Sequence, residues 1–199
     1  MRNIIPAVFG FIALLTLVLS VSPNALADAQ GKKALLIVAP SDFEPTEYST
    51  TRSTLESGGM TCTVASTKTG SLKSAKGTRA QSDLVLSEVQ TGDYDAIVII
   101  GGNGIKRLWM NEDAHRIVRE AAEQDKVVAA ICAGPGVLAY SGVMQGKKGT
   151  AHPKSGAPGA LKENGCEYTG NRVEVDNKFI TANGPQAAKS FGQAIVAAF

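Results

Sequence analysis

The sequence carries little surplus charge: 20 basic and 18 acidic residues in a chain of 199 give a formal net charge of +2. Near-neutrality argues against a polyanionic partner such as nucleic acid. Metal-ligating residues are scarce as well. Cys62, Cys132 and Cys166 form no CxxC pair, and His115 and His152, the only histidines, stand too far apart for a helical metal pair, so no structural zinc site is expected. The glycine-rich stretch "GGNG", Gly101 to Gly104, fails the dinucleotide fingerprint because Arg107 stands where the third glycine belongs. It also lacks the Gly-Lys-Ser/Thr of a phosphate-binding loop. Neither an internal repeat nor a linker divides the chain.

The amino terminus is distinct from the rest. Arg2, an apolar stretch from Ile4 to Val21 and the small-residue site Ala25-Leu26-Ala27 form the pattern of a cleaved export signal over residues 1–27. The apolar stretch approaches membrane-spanning length, but Pro6, Gly10 and the Ala-x-Ala site favour cleavage, after Ala27 or Ala29, over a retained anchor. The expected product is exported, periplasmic or secreted, with no stable membrane insertion. Residues 28–199 then suit one domain with an ample core. Three cysteines cannot all pair within one chain, so at least one thiol stays free or bonds elsewhere; a Cys62 to Cys166 bridge is left open.

The mature stretch alternates strand and helix patterns. "KALLIVAP" (Lys33 to Pro40), "YDAIVIIGG" (Tyr94 to Gly102) and "KVVAAI" (Lys126 to Ile131) are short continuous apolar runs suited to a parallel sheet covered on both faces, and "MTCTVAS" (Met60 to Ser66) is a fourth strand. Ala114, Ile117, Val118, Ala121 and Ala122 recur at helical spacing behind Asn111 as N-cap, leaving His115 as a solvated surface residue. "RVEVDNKFIT" predicts a hairpin turning at Asp176-Asn177, and a final helix follows Gly184-Pro185. Thr67 to Ser82 carries Lys68, Lys73, Lys76 and Arg79 without interleaved aromatics, so it reads as a solvated loop or edge hairpin. The order predicts an open α/β sandwich with its site at the carboxyl ends of the strands.

Chemistry concentrates at that edge. In "VVAAICAGPG", strand, cysteine, small residues and an apolar helical stretch make the setting of a nucleophile elbow at Cys132, although Ala130 replaces the first glycine of the Gly-x-Ser-x-Gly form. Spacing alone leaves a buried, inert cysteine equally open. A helix dipole contributes about 0.3 to 1 kcal/mol, less than one pKa unit, so a reactive thiol here needs further help. "SDFEPTEYS" supplies Glu44 and Glu47; an ionised carboxylate would repel a thiolate, whereas a partly buried neutral one would donate to it. Both acids reading as ordinary first-turn residues is the alternative. Gly101 and Gly102 offer backbone N–H groups to an oxyanion or simply make a tight turn. His152, in the loop "TAHPK", is the histidine placed to assist.

"EPTE", "YDAIVIIGGNG", "AAICAGPG", "AHP" and "NRVEVDNKFITANGP", taken in order, resemble the PfpI family of the glutamine-amidotransferase-like fold, nearest its parkinsonism-associated deglycase branch. The resemblance implies a flavodoxin-like three-layer sandwich, a homodimer and no cofactor. Carried over residue by residue, Cys132 is the reactive cysteine, Glu47 the acid that hydrogen-bonds it, His152 the nearby histidine, and Gly101, Gly102 and Ala133 the backbone oxyanion positions. Two departures matter: Ala133 stands where peptidase members carry histidine, and Asn183 stands where relatives often carry arginine. The implied activity is a glyoxalase or deglycase acting on small α-oxoaldehydes or their adducts. The alternatives are a redox-responsive protein oxidised to a sulfinate at Cys132 and, weakened by Ala133, a cysteine peptidase or amidase.

Overall fold

The computed structural model describes residues 28–199. The export-signal reading of residues 1–27 lies outside the described residues. In chain order the described part begins with β1 (Lys33–Ile37), β2 (Ser41–Phe43), α1 (Pro45–Ser57), β3 (Thr61–Ser66), β4 (Gly70–Ser74), β5 (Arg79–Ser82) and β6 (Leu84–Val85). It continues with β7 (Ala96–Ile99), α2 (Glu112–Glu123), β8 (Val127–Ile131), α3 (Pro135–Tyr140), β9 (Lys148–Gly149) and α4 (Ala157–Glu163). It ends with β10 (Glu167–Tyr168), β11 (Val173–Asp176), β12 (Phe179–Ala182) and α5 (Ala188–Val196).

Seven strands form the central sheet in the order β11-β12-β8-β7-β1-β3-β6. All pairings are parallel except β11 with β12, the hairpin that Asp176-Asn177 closes. Asn177 adopts a φ of +54° there, the left-handed conformation asparagine tolerates.

The continuous apolar runs have a structural cause. Leu35 and Ile37 of β1 point into one core with α2, α3 and α4, while Ala34 and Leu36 point into the other with α1 and α5. A strand buried on both faces has no position for a polar side chain, so alternation disappears. The result is the flavodoxin-like three-layer sandwich.

The helix expected behind Asn111 is α2, with Asn111 Oδ1 accepting from the Ala114 N–H at 2.9 Å. His115 departs from expectation. It is buried, 2% exposed, because its Nε2 meets the carbonyl of Trp109 at 2.7 Å. After Gly184 the chain makes a 3-10 turn over Pro185–Ala187 before α5 begins. The basic stretch is a hairpin, β4 with β5, joined to β2 in a separate three-stranded sheet. All three cysteines are unpaired, so the Cys62 to Cys166 bridge is not formed. Among the described residues no helix is long and apolar enough to cross a membrane.

Leu36 is fully buried in a strand near the middle of the sheet. Leu36→Ala is expected to lower unfolding free energy by about 2–5 kcal/mol, read from the denaturation midpoint in urea at unchanged slope.

Candidate active site

The site forms where β1, β7 and β8 end. Cys132 follows β8 directly and takes a φ of +65°, a region that non-glycine residues seldom occupy and that costs of order 1–3 kcal/mol. Its neighbours enforce it. The Cys132 N–H donates to Ala182 O at 2.8 Å, and Cys132 O accepts from the His152 N–H at 3.0 Å. The small residues after Cys132 then let the chain reverse into α3. This is the elbow expected from the sequence.

Glu44 and Glu47 have separate roles. Glu44 caps α1, its carboxylate accepting from the Glu47 N–H at 2.7 Å, and its other oxygen pairs with Lys76 at 3.3 Å. Glu47 turns inward and is fully buried. Its Oε2 accepts from the Gly101 N–H at 3.1 Å, while Oε1 has no hydrogen-bond partner among the described residues. The polar side chain set beside this carboxyl in the cavity is the Cys132 thiol. Gly101 permits the approach. A Cβ at that position would lie 2.5 Å from Glu47 Oε2 and 2.6 Å from Cys132 Cβ, so only glycine fits between acid and thiol.

Burial dominates the electrostatics. It pushes the Glu47 carboxyl up to about 8; the adjacent Cys132 thiol and the Gly101 amide oppose the shift, and the Glu44 charge adds to it. Glu47 is therefore mainly neutral at pH 7, as expected for an acid placed against a thiol. The thiol departs from the sequence reading, which called for a stabilised thiolate. Burial first, and the ionised Glu47 second, push Cys132 up to about 12, with the Gly102 and Ala133 amides opposing. The two groups are coupled: the thiol's high value belongs to the state in which Glu47 has already lost its proton. The species that matters is the pair holding one proton between sulfur and carboxyl.

A cavity of about 270 Å³ opens onto this pair, and Cys132, Glu47, Gly102, Ala133 and His152 all line it. The structure thus brings together the residues singled out in the sequence, with one change of role. The Gly101 N–H is committed to Glu47, which leaves the Gly102 and Ala133 amides to act at the sulfur. His152 Nδ1 accepts from the Lys154 N–H at 3.2 Å, so the neutral ring carries its proton on Nε2 and offers a donor rather than a base. Sequence reasoning missed Ser155, whose hydroxyl donates to His152 O at 2.7 Å, and Ala75 of the β4–β5 hairpin, which forms part of the cavity wall. A lone serine and a lone alanine give no sequence signal.

The model of the DJ-1/PfpI family matches residues 32–198. The glutathione-independent glyoxalase DJR-1.2 of Caenorhabditis elegans is 31% identical over 168 residues, covering 84% of this chain and 89% of its own. The deglycase PYRAB04690 of Pyrococcus abyssi is 31% identical over 151 residues, covering 76% of this chain and 90% of its own. Among solved structures, the ThiJ/PfpI domain protein of Brachyspira murdochii superimposes with a TM-score of 0.80 at 26% identity, covering 84% of this chain and 95% of its own.

The raised carboxyl links pH to stability. Glu47 holds its proton in the fold up to about 8 but loses it near 4.5 when unfolded. Between those values the folded state binds the extra proton, so its contribution is complete below the lower value and disappears as pH rises through the upper one. Urea unfolding from pH 5 to 9 is expected to show stability falling by a few kcal/mol, and Glu47→Gln is expected to flatten that slope.

Proposed function

Because the chain belongs to the DJ-1/PfpI family, we propose that it is a cysteine-dependent, cofactor-independent enzyme of the glyoxalase or deglycase type, acting on small α-oxoaldehydes or their adducts on amines or thiols. Relatives named glyoxalase and deglycase support a general DJ-1-like function. The observation that carries the finer reading is the buried Glu47 carboxyl held against Cys132 at the floor of one small cavity.

The chemistry follows from the shared proton. When Glu47 is ionised, Cys132 Sγ attacks the aldehyde carbon while its proton passes to the Glu47 carboxylate. The Gly102 and Ala133 amides hold the developing oxyanion, and His152 Nε2–H is the further donor lining the cavity. Glu47 then protonates that oxygen to give a neutral hemithioacetal. It next removes the proton from the carbon bearing sulfur and returns it to the adjacent carbonyl carbon, while the hemithioacetal hydroxyl passes its proton to the neighbouring carbonyl oxygen, leaving a 2-hydroxy thioester. Water cleaves the thioester to a 2-hydroxy acid and restores the thiol. The net change adds one water to the oxoaldehyde, and no outside oxidant or reductant is consumed. With an adduct, the bond to Sγ forms as the bond to the amine or thiol breaks, and Glu47 hands the proton taken from Cys132 to the leaving group.

The redox reading, oxidation of Cys132 to a sulfinate, draws on the same half-buried thiol and ranks second because the relatives named glyoxalase and deglycase favour turnover. The peptidase reading is weaker still, because the methyl group of Ala133 stands where a neighbouring base would be needed. Export to the periplasm or the medium and assembly as a homodimer remain part of the proposal, on the sequence grounds given above.

Lactate formation from methylglyoxal tests the assignment. Cys132→Ala and Glu47→Ala are each expected to lower it by at least about a hundredfold. Wild-type turnover is expected to rise with pH through about 8, as the ionised fraction of Glu47 grows. Undiminished turnover in either variant rejects the mechanism.

A further inference from the structure

Trp109 touches the elbow without entering the proposed chemistry. Its indole Nε1–H donates to the carbonyl of Ala133 at 2.9 Å. Its own carbonyl meets the buried His115 Nε2 at 2.7 Å; since a carbonyl only accepts, that nitrogen carries the hydrogen. On one side the ring lies against Gly136 in the first turn of α3, where an added Cβ would collide with the indole. On another it packs near Tyr140, with ring centroids 5.9 Å apart. His115, Trp109 and the elbow are thus joined in series.

Ala133 sits between two restrained peptide planes. Upstream, the Cys132 carbonyl accepts from the His152 N–H at 3.0 Å, so the trans peptide aims the Ala133 N–H the opposite way. That amide is one of the two acting on the Cys132 sulfur. Downstream, the Ala133 carbonyl accepts from the Trp109 indole at 2.9 Å and, less closely, from the Gly136 N–H at 3.2 Å, and the Gly134 N–H of the same plane donates to Ile131 O at 2.9 Å. The left-handed Cys132 adds strain that these bonds must hold.

We propose that Trp109 is a positioning residue for Cys132: its indole N–H fixes the Ala133–Gly134 peptide plane and so restrains Ala133 from its downstream side, holding the aim of the Ala133 amide at the sulfur and at the oxyanion formed there. This inference rests on the reading of Cys132 as the nucleophile. His115 is the backstop that holds Trp109 in register.

Trp109→Phe keeps an apolar ring and removes the donor. The rate of Cys132 alkylation by iodoacetamide is expected to fall by between about threefold and tenfold, the range one neutral hydrogen bond supplies, and its pH profile to move to higher pH. A purely structural role would lower the melting temperature and leave that profile in place. Trp109 is also the chain's only tryptophan, so wild-type emission gives a second readout that needs no variant at this position. Alkylation of Cys132 is expected to change the emission, and the same reagent is expected to leave a Cys132→Ser protein unchanged. Wild-type rate and profile in Trp109→Phe, or wild-type emission indifferent to alkylation, overturns the inference while leaving the nucleophile reading intact. Wild-type Cys132 that resists alkylation overturns both. If Trp109→Phe does not fold, the emission experiment decides.

Discussion

A carboxyl group cut off from water keeps its proton unless a partner compensates the charge, and around Glu47 the compensation is partial. One backbone amide reaches Oε2, no hydrogen-bond partner reaches Oε1 among the described residues, and the remaining neighbour is a thiol that is itself half-buried. Neither group ionises easily, and once one has done so the other is held back by its charge. Acid and thiol therefore behave as one titrating unit. The rest of the site can be understood as the structure needed to hold that unit together.

Its scaffold is the sheet. Parallel strands deliver their carboxyl ends to one edge, so β7 and β8 place Gly101, Gly102 and Cys132 beside each other while α1 brings Glu47 down from above. Gly101 supplies the amide for the acid and, by lacking a side chain, the space for the thiol. The left-handed φ of Cys132 is sustained by bonds from β12, from the His152 segment and, one residue on, from Trp109. The strain lies at the reacting residue and the bonds that offset it come from elements distant in sequence.

Much of this was legible beforehand, for identifiable reasons. Strands buried on both faces leave continuous apolar runs, so β1, β7 and β8 stood out, and the Asn111 cap and the Asp176-Asn177 turn are local devices that a short stretch discloses. The elbow was readable because its small residues are contiguous with the strand. Burial at individual positions was not. Glu44 and Glu47 share one helix start, and only the fold decides that Glu44 caps while Glu47 turns inward. His115 lies at the margin of an amphipathic helix, where the Trp109 carbonyl draws it inside. The expected thiolate failed for the same reason: helix dipole and amides were countable from sequence, but the larger effect of desolvation was not.

The side-chain carboxyl carbon of Glu47, followed by NMR as pH is raised, reports the central claim most directly. The account calls for a protonated carboxyl at pH 6 that titrates near 8, with the Cys132 side chain responding in the same pH range. A midpoint near 4.5, the ordinary glutamate value, with no response from Cys132, would contradict it.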